Sequence, residues 1–243
     1  MAEIFGGLPR LAPGSNAATL RVLGALEAIP NEARVLDVGA GTGAQTLVLA
    51  QALPNARITA VDVNEHNLGV LMQRAAQTGV AGRITTHVGP MHAMDFPVDA
   101  FDLIWSEGSA YIMGFGNALR KWKPLIRKNG YVVISECTWL TIAPSSRAQD
   151  FWDTAYPAMQ TLQQNLDLIA EAGYELITTY VVPPSAWEDE YYALLEPRIA
   201  ALTSTYPPGS REHKAVLRIK DEIEIFRTHS DQFGYVFYAL RKP

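Results

Sequence analysis

Between residues 34 and 136 the chain alternates short β-branched runs with longer amphipathic stretches, and few folds accommodate that order. Runs of five or six apolar residues separated by helical lengths predict βαβ units and a parallel sheet with helices on both faces. The runs lie at 34–39, 57–62, 83–88, 101–105 and 131–135, each followed by Gly, Asn, Pro or Ser. Helices are expected near 44–53, 65–78 and 114–128, the last stopping at a left-handed Asn129-Gly130 cap. A leading helix near 15–29 takes Ser15 as its N-cap and is stopped by Pro30. Beyond Glu136 a long helical stretch is expected over about 146–172, followed by a sixth strand from Tyr174 to Val182. Two Pro-bounded helical segments come next, and Phe233 to Leu240 closes the chain as a seventh strand. The stretch from Pro183 to Asp231 is too long for a hairpin loop and reads as an insertion over one end of the sheet. One domain of 243 residues is therefore expected: a cofactor-binding core at 14–136, a cover at 137–232 and a closing strand at 233–241.

The most informative segment joins the first run to its helix: Asp37, then Gly39, Ala40, Gly41, Thr42 and Gly43. Alternating glycines let a backbone turn sharply and approach a ligand without Cβ interference. About 20 residues on, Asp62 ends the second strand, where a carboxylate can accept hydrogen bonds from both hydroxyls of a ribose. Together they make a nucleoside site. Gly39, Gly41 and Ala44 also satisfy the dinucleotide spacing, in which a helix N-terminus holds a pyrophosphate. Asp37, expected to face the loop, would repel a pyrophosphate and suit a ligand with a positive amino group, as in S-adenosylmethionine.

These residues resemble the class I S-adenosylmethionine-dependent methyltransferases over residues 31–136. The resemblance implies an α/β fold with a doubly wound seven-stranded mixed sheet, the last strand antiparallel, here carrying a helical C-terminal insertion. It implies that Asp37 and the loop 39–43 hold the methionine part of S-adenosylmethionine, that Asp62 holds the ribose and that Val63 packs on the adenine. Gly89-Pro90-Met91 stands where the family has a polar residue before the adenine-lining turn, which passes recognition there to Met91 or His92. Pro13-Gly14-Ser15, Trp105 to Ser109 and Phe233 to Phe237 resemble more narrowly a group of small bacterial methyltransferases of unassigned substrate.

In such sheets ligands lie at the carboxyl ends of the strands, so Ser106, Glu107 and Glu136 are expected near the transferred methyl group. Glu107 is read as base or as cofactor contact and Glu136 as a second candidate base. Tyr111, after the fourth strand, and Trp139, Trp152 and Tyr191, within an aromatic-rich cover at 139–231 that would exclude water from the reacting atoms, are candidate substrate walls. The five histidines show no ligand spacing, and the single Cys137 supports neither a disulfide nor a thiolate cluster, so no metal is expected. One cysteine and no membrane-length apolar run predict a reducing cytoplasmic setting. A net charge of −5 disfavours nucleic acid as a partner. Relative to the family, no Asn-Pro-Pro-Tyr segment and no Pro-Cys pair follows the fourth strand, which leaves a small metabolite as the expected methyl acceptor, acted on by a monomer or homodimer. The alternatives are an NAD(P)-dependent oxidoreductase and a non-catalytic S-adenosylmethionine-binding protein.

Overall fold

A computed structural model describes residues 2–243. Seven strands form its sheet: β1 (Arg34–Val38), β2 (Arg57–Asp62), β3 (Ile84–Val88), β4 (Phe101–Glu107), β5 (Ile126–Trp139), β6 (Glu175–Val181) and β7 (Phe233–Arg241). Their order is β3-β2-β1-β4-β5-β7-β6, and a two-residue bridge at Gln160–Thr161 runs beside the end of β5. Only β7 runs antiparallel to its neighbours, pairing with β5 from Tyr131↔Arg241 to Trp139↔Phe233. The expected doubly wound sheet with one reversed strand is therefore present.

The central strands are apolar because both faces are covered: β4 is buried at every position and β1 at all but its first. One face carries α2 (Asn16–Leu23), α3 (Ala44–Ala52) and α4 (Glu65–Gln77) together with the C-terminal helices; the other carries α5 (Phe115–Trp122) and α7 (Leu162–Glu171). Local chemistry starts these helices where expected. Ser15 Oγ accepts from Ala18 N, and Asn64 Oδ1 accepts from His66 N and Asn67 N. No helix among the described residues is long and apolar enough to cross a membrane.

Three elements differ from their sequence expectation, each for a local reason. The helix expected over 15–29 stops at Gly24, where a residue without Cβ weakens the helix and Leu26 turns inward to the core. The stretch expected as helix over 114–128 ends at Trp122 because Pro124 follows, and Ile126 already pairs with Phe101 in β5. Asn129 does take a left-handed φ of 62°, but inside the bulge where β5 regains register with β4, not at a helix end. Pro157 splits the stretch at 146–172 into α6 (Ser146–Ala155) and α7, the latter opened by a Thr161/Gln164 capping box. The insertion after β6 consists of α8 (Pro184–Trp187), a π-helical turn at Glu188–Tyr192, α9 (Ala193–Thr205) and α10 (Arg211–His229). Short α1 (Ala2–Phe5) packs against α9.

Candidate active site

The turn from β1 into α3 is built from main chain. Gly39, Gly41 and Gly43 all have positive φ, at 74°, 54° and 85°, a region costly for residues with a Cβ. Space forbids side chains as well: a Cβ on Gly39 would fall inside the Ser109 side chain, and one on Gly43 would stand 2.5 Å from Leu71 Cγ. Gly39 N and Ala40 N both donate to Val61 O, which ties the turn to β2. Asp62 completes it. Its carboxylate accepts from Gly41 N at 2.9 Å and from Asn64 N at 2.8 Å, so the acid at the end of β2 is held rigidly against the loop.

Over this turn lies a cavity of about 350 Å³, within the range of small-ligand sites. Gly39, Ala40, Gly41, Thr42 and Asp62 form one side, and Val63, Met91 and Ile112 give it an apolar end. Val63 is 69% exposed, the state of a residue that forms the open face of a slot. Gly43 stays out of the wall, against Leu71. Asp37 is also not in the wall. It is fully buried beneath the loop, where Gln45 Nε2 and Thr46 Oγ1 donate to it, and burial pushes its carboxyl up to about 7. The expectation that Asp37 faces the ligand is corrected by this packing: it braces the first turn of α3, and Gln45 reaches the cavity instead. Ser106 is likewise buried, bonded to Ser109 Oγ at 2.8 Å.

A strap at residues 8–13 closes the cavity. Thr42 Oγ1 donates to Leu8 O, and Arg74 Nη1 donates to both Pro9 O and Thr42 O, which fastens the strap to the glycine loop. Its strongest tie is Arg10, whose Nη1 lies 2.6 Å from Glu107 Oε2 with both side chains almost wholly buried. Glu107 Oε1 accepts from Thr19 Oγ1 at 2.7 Å and from Trp105 Nε1 at 2.8 Å. A carboxylate holding three donors, one of them a buried guanidinium, has most of its acceptor sites filled and its position fixed. Glu107 therefore lines the cavity as the anchor of the strap, which corrects its reading as a base.

Behind the strap is a second chamber of about 810 Å³. Leu11, Ala12, Pro13 and Gly108 are walls of both spaces, so the two cavities stand back to back. The approach is tight: a Cβ on Gly108 would stand 2.5 Å from Ala12 Cβ and 3.5 Å from the Tyr235 hydroxyl. Much of the remaining wall comes from the cover, with Trp152 on α6 and Tyr156 just after it, Trp187 and Tyr191 from the insertion, and Glu222 on α10. Tyr191 Oη donates to Leu11 O, joining the insertion to the strap. Tyr111 lines the chamber on the β4 side and packs edge-on against Tyr156 at 5.6 Å. Three of the four expected substrate-wall residues thus meet here. Trp139 does not; it packs edge-on against Phe233 in the core.

Glu136 is 2% exposed and belongs to neither wall. Its carboxylate oxygens have no hydrogen-bond partner among the described residues, and burial pushes the acid up to about 8, the Tyr156 hydroxyl offsetting part of the rise. It alternates with Cys137, whose side faces the chamber, because neighbouring strand residues point to opposite faces. Strand-end position alone had suggested a catalytic carboxylate; the pleat turns it away. Sequence reasoning missed Arg10, Leu11, Glu222 and Tyr235. The Pro9 and Pro13 that bracket the strap were visible signals, whereas a helix-borne Glu222 differs in no way from a solvated one until α10 is packed.

Residues 29–196 match the family described as "Methyltransferase domain". A ubiquinone/menaquinone biosynthesis C-methyltransferase of Geobacter sulfurreducens is 33% identical over 105 residues, 42% of this chain and 41% of that protein. A ribosomal RNA small subunit methyltransferase G of Cupriavidus necator is 32% identical over 117 residues, 48% of this chain and 46% of that protein. The chain thus spans under half the length of these curated relatives. An S-adenosylmethionine-dependent methyltransferase from Geobacter sulfurreducens, solved with S-adenosylhomocysteine, superposes with a TM-score of 0.81 at 20% identity, covering 100% of this chain and 97% of that one. With the family match running through the glycine loop, Asp62, β4 and β5 and over more than half of the residues, the chain belongs to the class I S-adenosylmethionine-dependent methyltransferases.

Proposed function

We propose that the protein transfers a methyl group from S-adenosylmethionine to a small molecule held in the aromatic chamber. The observation that carries this reading is the shared wall: Leu11, Ala12, Pro13 and Gly108 separate a nucleoside-sized cavity from a second, larger one. Gly39 and Gly41 allow the close main-chain approach that the methionine part needs. Asp62 accepts from the ribose hydroxyls while its main-chain bonds hold it in place. Val63 and Met91 sandwich the adenine. Bound there, S-adenosylmethionine supplies a methyl group on an electron-poor sulfonium.

The chain's own contribution is alignment and water exclusion. The Arg10–Glu107 pair sets the strap, the strap sets the distance between the cavities, and the aromatic cover keeps the chamber dry. In this reading residues 137–232 are the cover of the same domain as the core, since the chamber draws walls from both. A small acceptor is favoured over RNA by the enclosed aromatic chamber and by a net charge of −5, which offers no general attraction to a phosphate backbone. A dinucleotide is disfavoured by size, because the loop cavity holds about 350 Å³.

Calorimetry tests the donor half of the reading. S-adenosylmethionine and S-adenosylhomocysteine should bind, NAD should not, and Asp62→Ala should weaken binding by roughly tenfold or more through loss of charge-assisted hydrogen bonds. Binding of NAD without either sulfur ligand would refute it.

A further inference from the structure

The chamber's walls carry chemistry that selects among small molecules, and this argument rests on the chamber being the acceptor side. Its charges are unevenly placed. Arg211, Glu212 and Arg218 are exposed on the α10 rim, whereas the acid that reaches the interior is Glu222, bonded through Oε1 to the Tyr192 hydroxyl at 3.0 Å. Burial raises the pKa of Glu222, and its charge is felt by Tyr111, Tyr191 and Tyr235, all in the same wall. Glu136 stands behind Tyr156 and is not itself in the wall. Among the described residues no buried Lys, Arg or His lines this chamber.

An aromatic ring carries a negative face that attracts a cation, and a desolvated carboxylate is stabilised by any cation brought beside it. An anion would meet the same rings and Glu222 in the interior, its only opposite charges being the solvent-exposed Arg211 and Arg218 at the rim, the latter also acting on Glu222. A neutral apolar ligand would cut Glu222 off from water and leave its charge with the Tyr192 hydroxyl alone.

We infer that the chamber takes a small molecule bearing an alkylammonium group, seated beside Glu222 among the rings of Tyr111, Tyr191 and Tyr235. The Tyr235 hydroxyl oxygen, at the wall shared with the donor cavity beside Gly108, then lies against the cationic head and fixes which end faces the strap. The substrate class is a cationic amine.

The test uses the full chain saturated with S-adenosylhomocysteine, so that the donor site is checked by its own titration. Quenching of tryptophan fluorescence then reports binding of matched pairs: choline against its uncharged tert-butyl analogue, and benzyltrimethylammonium against its neopentyl analogue, with benzoate as the anion. Each ammonium ligand should bind roughly tenfold more tightly than its neutral partner. Glu222→Gln, which can still accept from Tyr192, should reduce that preference by about fivefold and leave the affinity for S-adenosylhomocysteine unchanged. Equal binding within both pairs, preference for benzoate, or no binding of any ammonium ligand to the loaded protein overturns the inference. The wild-type comparison decides even if the variant fails to fold. Failure to bind S-adenosylhomocysteine would instead sink the donor reading.

Discussion

The two cavities on either side of the strap are built by opposite means. The donor cavity is shaped by main chain: three left-handed glycines, two amides on Val61 O and two more on the Asp62 carboxylate. The chamber is shaped by side chains from the strap, the turn after β4, β5, α6, the insertion, α10 and β7. A main-chain site recognises what all of its users share and tolerates almost no added atoms. A side-chain site can change its ligand by changing one ring or one charge, which suits the part of an enzyme that selects the acceptor.

That contrast is most exposed at Gly39. Gly39→Val places a branched side chain at φ 74° against Ser109, and strain plus clash should cost about 3 kcal/mol or more, a loss of S-adenosylhomocysteine affinity on the order of a hundredfold. Calorimetry on a variant shown by circular dichroism to be folded checks it. Near-normal affinity would mean that side chains, not main chain, make the donor site. Arg10→Ala tests the strap between the cavities. It leaves Glu107 buried with only Thr19 and Trp105, so the urea midpoint should fall by the equivalent of about 3 kcal/mol. Were Glu107 instead a free base, stability would hardly change and only turnover would suffer.

Glu136 sharpens the comparison on the chamber side through pH. Its folded-state pKa of about 8 lies above the ordinary 4.5, so its contribution is fully present below pH 4.5 and is lost as pH rises through 8. Glu136→Gln has no such proton to lose. The variant should match wild type near pH 4.5 and exceed it in thermal stability above pH 8, by roughly 5 kcal/mol. A difference that does not grow with pH would mean that Glu136 finds a partner when ionised.

The same division decided what could be read from sequence. β1, the glycine loop and Asp62 lie within 29 residues, from Arg34 to Asp62, and positive-φ turns demand glycine, so the donor cavity left a compact motif. The last strand was legible because Phe233 to Leu240 is an apolar run, buried on both faces, while its reversal followed only from the resemblance to the methyltransferase family. Side-chain direction was not. Asp37 and Glu136 are strand acids whose roles depend on which face the pleat presents, and Trp139 shares its residue type with Trp152 but packs on Phe233 outside both cavity walls. Arg10 was invisible for a further reason: its partner Glu107 is 97 residues away, and no local pattern marks so distant a pair.

The central claim is that a methyl group held over the glycine loop faces the chamber across the strap. A crystal structure with S-adenosylhomocysteine tests it most directly. The account predicts the ribose on Asp62, the adenine between Val63 and Met91, and the sulfur against Gly108 and Leu11 to Pro13. A sulfur directed away from that wall, with the chamber sealed from it, would contradict the account.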